Sequence, residues 1–277
     1  DYNCPVLSAD SRQFFKEMTI GTAKPSVDEM QGVMHYFIDN KSIEEIYNIG
    51  EYEKEAIALL ENLFTKHQTL ILVGGSGLYI NAIINGLDEF EEIPTSIRDF
   101  LTTKYNELGI TFLQEELKLR DPNYFAEVDI NNPQRIMRAL EYCMHTNKLF
   151  SESRTKQKKQ RPFNSIPILI NTSREKLYDR INKRVDIMIE NGLVEEVKSL
   201  IPYKHLNALN TVGYKEIFQY FENTLTLKEA TDLIKQNSRR YAKRQLTWFN
   251  NQGDFETFEP HDLDKIKAYI NIIIENT

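Results

Sequence analysis

Asp10, Ser11, Arg12 and Gln13, in SADSRQFFKEMTIGTAKP (residues 8–25), form the first cluster in this 277-residue chain whose types and spacing could do chemistry. A carboxylate just beyond the carboxyl end of a buried strand stands where α/β proteins hold their ligands. There it can accept a hydrogen bond from an amine or a hydroxyl and take its proton during reaction. The same position suits an aspartate that merely caps the following turn. Ser11, Arg12 and Gln13 add a donor, a cation and an amide, a set suited to the edge of a nucleobase.

A second candidate is the row Lys176, Arg180 and Arg184, which runs beside an apolar row of Leu177, Ile181 and Val185. Arg180 and Arg184 are one helical turn apart at the boundary of a buried face, so together they can chelate a diphosphate through forked hydrogen bonds. Pairing with Asp179 or Asp186 is the bland alternative. In QRIMR (134–138), Arg135 and Arg138 share a helix face and can grip a nucleic-acid backbone, although a solvated face explains such a pair as well.

LILVGGSGLYINA (70–82) reads as a strand, a glycine turn and a helix start; with no Gly-Lys-Ser/Thr after Gly77 it is not a Walker A loop. Its glycines suit an anion held on backbone N–H groups or plain close packing, and Ser76 is the one side chain in the glycine turn with a ready polar contact. IGTAKP (20–25), with Lys24, carries a weak phosphate signal of the same kind. Tyr241, Trp248 and Phe249 in YAKRQLTWF are spaced for the core, with cations between them available to RNA phosphates or to the sheet. Histidines 35, 67, 145, 205 and 261 are not spaced as metal ligands, and Cys4 and Cys143 suit neither a disulfide framework nor zinc, so no metal-ligating residue is assigned.

The elements that must position these groups follow from periodicity. CPVL (4–7), HYFI (35–38), LILV (70–73) and IPILI (166–170) read as buried parallel strands, and the helical patterns between them place helices on the faces of one α/β sheet. Tyr52, Ala56, Leu59, Leu60 and Leu63 fall at helical spacing between the second and third strands. From about 90 to 162 only helix signals remain: a serine cap and Gly109 around 94–109, a capping box in TFLQ (111–114), and Asn132 before Pro133. The expected organisation is an α/β core over 1–90, an all-helical insertion over 91–162, and the second part of the core with C-terminal helices over 163–277. Thr226 and Glu229 form a capping box before a long basic helix.

With 34 basic and 41 acidic residues the net charge is −7, which argues against nucleic acid binding over the whole surface but not over patches such as RTKQKKQR (154–161) and SRRYAKRQ (238–245). No apolar run approaches the ~20 residues that span a bilayer, and the start lacks the basic and apolar regions of a secretory signal. A cytoplasmic enzyme is expected.

Five segments in order, SADSRQFFKEMTIGTAKP, VGGSGLYINA, NNPQRIMRALE, NTVGYKEI and YAKRQLTWF, resemble the bacterial tRNA dimethylallyltransferase family over nearly the whole chain. The resemblance implies a fold like the P-loop kinases, with a helical insertion that clamps the tRNA anticodon stem-loop. It implies a transfer of the dimethylallyl group from dimethylallyl diphosphate to N6 of adenosine 37, next to the anticodon, giving i6A37. Carried over, Asp10 is the general base, Asp10, Ser11, Arg12 and Gln13 touch tRNA, and Arg184 stabilises the departing diphosphate beside Arg180. Ser76 stands in place of a threonine. Arg98, Gln134, Arg135, Ile136, Met137 and Arg138 become tRNA contacts, as do Asn210, Thr211, Val212, Gly213, Tyr214 and Lys215.

The family also implies Mg2+ and a leading strand with a GPTxxGKT nucleotide-binding loop, which this sequence does not contain. Without that loop the chain is expected to bind the prenyl donor poorly and to be inactive. A monomer is expected. Rival readings are an adenylate isopentenyltransferase, a P-loop nucleotide kinase and a noncatalytic RNA-binding protein.

Overall fold

In a computed structural model that describes residues 2–155, 157–252 and 255–276, the chain runs through β1 (Val6–Ser8), β2 (His35–Tyr36), α1 (Ile49–Phe64), β3 (Ile71–Val73) and α2 (Gly77–Asn85). There follow α3 (Thr95–Leu108), α4 (Ile110–Arg120), α5 (Pro122–Glu127), α6 (Pro133–Thr146) and α7 (Phe150–Ser153). The last third holds β4 (Ile168–Ile170), α8 (Arg174–Glu190), α9 (Leu193–Ser199), α10 (Tyr214–Phe221), α11 (Leu227–Gln252), β5 (Glu256–Phe258) and α12 (Leu263–Glu275). The chain divides into two compact units, one of residues 1–86 with 160–277 and one of residues 87–159.

In the first unit β1 is central to a parallel sheet of order β2-β1-β3, with Leu7 opposite both Tyr36 and Leu72. β4 pairs in parallel with β5, Leu169 opposite Thr257. The four expected strands therefore exist but do not share one sheet, and not all are buried. Ile71 and Val73 are 41% and 53% exposed and Ile170 is 51% exposed, because β3 and β4 each pair along one side only. β5, ETF, escapes the sequence reading because it offers one large apolar residue and no run.

Two cores hold this unit. Beneath the first sheet, Leu7, Ala9, Phe14, Tyr52, Ala56 and Leu60 pack together, and Phe14 stacks on Tyr52 at 5.3 Å. Tyr52 Oη donates to the Ser8 carbonyl at 3.1 Å, so α1 fixes the end of β1 by both packing and a hydrogen bond. Fully burying a large apolar side chain such as Leu7 or Phe14 contributes roughly 1.5–3 kcal/mol. The second core joins Phe15, Met18, Val185, Leu193, Val197, Tyr214 and Ile217 from the residue 10–20 loop and α8, α9 and α10.

The second unit is helical and closes on Leu101, Leu113, Leu117, Ile136, Leu140 and Phe150. Asn132 caps α6 by accepting from Arg135 N at 3.2 Å, with Pro133 in the first turn as the sequence pattern requires. The other two caps expected here fail. α3 begins at Thr95 after Pro94 and α4 begins at Ile110 after Gly109, and neither start has a side-chain cap, so Ser96 and Thr111 lie inside their helices. Proline and glycine set those boundaries by backbone restriction alone. In the first unit Thr226 and Glu229 do form a reciprocal box, at 2.7 and 3.2 Å.

Candidate active site

The carboxyl end of β1 meets the turn after β3 at closest approach. Ala9 N donates to Val73 O at 2.7 Å, and a Cβ on Gly74 would come within 2.5 Å of the Ala9 carbonyl, so only glycine fits there. Ser76 Oγ donates to Ser11 Oγ and accepts from Ser11 N, both at 3.1 Å, tying this turn to the Asp10 loop. Gly77 lies under the Trp248 ring and Gly75 under Gln245, which donates to the Gly75 carbonyl at 2.7 Å. Of the two roles open to these glycines, close packing is the one with visible contacts.

Asp10 is half-buried at the head of its loop. Its Oδ1 accepts from Arg12 N at 2.8 Å, so the turn-capping and chemical readings of this residue coexist, since one carboxylate has further lone pairs. Burial raises its pKa above the ordinary carboxylate range, opposed by backbone hydrogen bonds from Arg12 and Gln13 and by the charges of Arg12 and Arg184. Arg184, on α8, has its pKa lowered by burial, held up by Asp10 and lowered further by Arg180. Its side chain still reaches solvent along part of its length, so this effect is small in energy. The carboxylate and the guanidinium sense each other's charge, yet no ion pair joins them among the described residues. Asp186, one alternative partner for the arginine row, is taken by Lys235 at 2.5 Å.

Arg12 donates to the carbonyls of Asn207 and Ala208 at 3.3 and 3.1 Å, which anchors the loop to the segment before α10. Gln13 donates to Thr22 O and Ala23 O, both at 3.3 Å, and accepts from Ser8 Oγ at 3.2 Å. Tyr79, on α2, belongs to the same neighbourhood: burial raises its pKa, and it senses Arg12 and Asp10. Nothing in the residues singled it out, although its place two residues after Gly77 puts it on the first turn of a helix facing the loop.

Other expected contacts are redirected. The IGT segment offers no phosphate cradle, because Thr19 N, Ile20 N and Gly21 N already donate to the Glu196 carboxylate. Lys24 is buried, donates to Phe15 O at 2.6 Å and pairs with Asp39. Tyr214 is buried and spends its hydroxyl on Glu196, Gly213 is buried and has no side chain to offer, and Val212 packs partly buried against the second core; Asn210 and Lys215 are exposed and Thr211 is half-buried. Tyr241, expected in the core, is 42% exposed, whereas Phe249 is buried. Arg240, Lys243, Arg244, Thr247, Trp248 and Asn251 share an open, cation-rich face of α11.

In the second unit, Ile136 and Met137 lie in the core at 0% and 3% exposure, which removes their side chains as tRNA contacts. Arg98 pairs with Glu141 and donates to Gln134 Oε1 at 3.1 Å. Arg138 sits 5.0 Å from the Phe90 ring, while Gln134 and Arg135 face solvent. Among the described residues no group of three or more His, Cys, Asp or Glu could hold a metal ion. Asp10 alone does not make a Mg2+ site, which needs an octahedral oxygen set.

Residues 13–252 match the model of the IPP transferase family. The chain belongs to that family. It is 51% identical over 254 residues, 92% of its length and 84% of the relative's, to the tRNA dimethylallyltransferase of Christiangramia forsetii. It is 47% identical to that of Flavobacterium johnsoniae, over 99% of this chain and 90% of the other. Among solved structures it is similar to the tRNA isopentenylpyrophosphate transferase of Bacillus halodurans, with a TM-score of 0.70 at 36% identity over 99% of this chain and 88% of that one.

Proposed function

We propose that this prenyltransferase moves a dimethylallyl group from dimethylallyl diphosphate to N6 of adenosine 37 of tRNA, giving i6A37, with Asp10 as base and Arg184 and Arg180 on the leaving group. The observation that carries the assignment is a half-buried Asp10, whose pKa burial raises, placed where it feels the charge of an Arg184 with which it forms no ion pair among the described residues. The space between opposite charges is where a nucleophile and a leaving group can be interposed.

The chemistry asks for both groups. An adenine amine is a weak nucleophile that must be placed against C1 of the dimethylallyl group and must lose a proton as the new C–N bond forms. A carboxylate whose pKa lies above its ordinary value is the better base for that proton. As the C1–O bond breaks, negative charge gathers on the diphosphate, where a preorganised guanidinium stabilises it. Mg2+ bound to the diphosphate would neutralise part of the same charge, while the side chains above orient the acceptor.

For tRNA, the open face of α11 with Arg240, Lys243 and Arg244 and the exposed Arg135 offer separate cations to phosphates on an otherwise acidic chain. The relatives named above are tRNA transferases, which favours tRNA over a free nucleotide as acceptor. No helix among the described residues is long and apolar enough to cross a membrane, and we place the enzyme in the cytoplasm as a monomer. Mass spectrometry of an anticodon stem-loop incubated with full-length enzyme and dimethylallyl diphosphate tests the reading. A prenylated adenosine is expected, and an unmodified RNA, together with phosphoryl transfer to a nucleotide in a parallel incubation with ATP, would overturn it in favour of a kinase.

A further inference from the structure

Glu196 accepts hydrogen bonds from two of the segments that flank the site, yet no sequence motif pointed to it. Its Oε2 accepts from Thr19 N at 3.0 Å and Ile20 N at 2.7 Å, and its Oε1 accepts from Gly21 N at 3.0 Å and Tyr214 Oη at 2.6 Å. Three successive backbone N–H groups converging on one carboxylate form the concave arrangement that elsewhere binds free anions. Here the anion is built into the protein. The ring of Tyr214 closes the arrangement, since a Cβ on Gly21 would come within 2.4 Å of it. Tyr214 is itself fixed: it is wholly buried, and Glu216 in the same turn accepts from Gly213 N at 2.8 Å and Asn237 Nδ2 at 2.7 Å.

The clamped segment is one step from the reacting carboxylate. Gln13 donates to Thr22 O and Ala23 O, accepts from Ser8 Oγ, and that same Ser8 oxygen accepts from Asp10 N at 3.3 Å. A continuous path of hydrogen bonds thus runs from Glu196 on α9 through residues 19–23 and Gln13 to the backbone of Asp10. We infer that Glu196 is a positioning residue for prenyl transfer, holding the 19–23 segment so that Gln13 and Asp10 keep the geometry in which the adenine amine is oriented and deprotonated. This deepens the function proposed above and rests on it. It also assigns the IGT and NTVGYK motifs a shared task, as the two sides of one carboxylate clamp.

The experiment compares the full-length enzyme with Glu196→Gln and Tyr214→Phe, by steady-state kinetics on an anticodon stem-loop and by amide hydrogen exchange. Glu196→Gln keeps the shape but sets an NH2 against N–H donors. Exchange at Thr19, Ile20 and Gly21 should accelerate and kcat should fall about tenfold to a hundredfold, the cost of a small misplacement of reacting groups. The KM for dimethylallyl diphosphate should stay within about twofold, because Arg180 and Arg184 lie outside the clamp. Tyr214→Phe removes one of the four donors and should shift kcat the same way by less; should Glu196→Gln fail to fold, this variant decides alone. Unchanged exchange, accelerated exchange with unchanged kcat, or a kcat loss matched by a rise in the donor KM would each overturn the inference. An unsubstituted enzyme that does not prenylate the RNA would instead refute the underlying reading, while the exchange arm would still report on the clamp.

Discussion

The Asp10 loop and the QRIMR segment of α6 are both short polar motifs with the same family resemblance, and the fold treats them in opposite ways. In the loop, backbone and neighbouring side chains hold Asp10, Ser11, Arg12 and Gln13 from several directions while Asp10 stays half-open. In α6, the helix takes Ile136 and Met137 for its core, engages Gln134 through Arg98 and lays Arg138 over Phe90, leaving Arg135 pointing outward. A loop can direct every side chain of a motif toward one point. A helix, with 3.6 residues per turn, must give part of any five-residue motif to its buried face.

This contrast can be broken most sharply at Asp10. Asp10→Asn in the full-length enzyme should lower kcat by about 10²- to 10⁴-fold, the usual worth of a general base, while stem-loop affinity is retained; turnover near normal would remove Asp10 from the chemistry. The same variant carries a stability signature. A carboxylate with a raised folded pKa stabilises the fold below its unfolded value and loses that contribution as pH rises through the folded value. Asp10→Asn should therefore gain Tm relative to the parent at neutral pH, and the gain should shrink as pH falls through the folded value and vanish below the unfolded one, about 4; thermal melts across pH check it. Arg184→Ala should cost about 10²- to 10³-fold in kcat, the scale for losing one preorganised stabiliser of transition-state charge, with tRNA binding intact by filter assay.

For the helix the expected losses are of another kind. Ile136→Ala, at a fully buried position, should destabilise the protein by about 2–5 kcal/mol in denaturant melts with no separate loss of RNA affinity in the folded fraction. The smallest effect belongs to Arg135→Ala: unchanged melting, binding weakened a few-fold, and a salt dependence shallower by about one unit. If Arg135 and Ile136 gave the same phenotype, the division drawn here within α6 would be wrong.

The site was partly legible because strand ends and helix registers are local. Asp10 follows from its place after an apolar run, and Arg184 from its spacing against Leu177, Ile181 and Val185. Tyr79 and Glu196 were not legible, since each matters through residues far away in sequence, 67 positions from Arg12 to Tyr79 and 175 from Gly21 to Glu196. Tyr214 misled for the reverse reason: a resemblance marks a residue as important without saying whether it faces a ligand or a neighbour. Four of the five strands were legible in place, β5 was not, and burial and sheet membership depend on pairing partners that periodicity does not encode.

Trp248 belongs to the open cationic face of α11 and rests with its indole on Gly77 at the start of α2. A methyl group added at Gly77 would meet the ring at 2.4 Å, so no side chain fits there unless the indole gives way, and the start of α2 is thereby tied to the same stretch of α11 that carries the exposed cations.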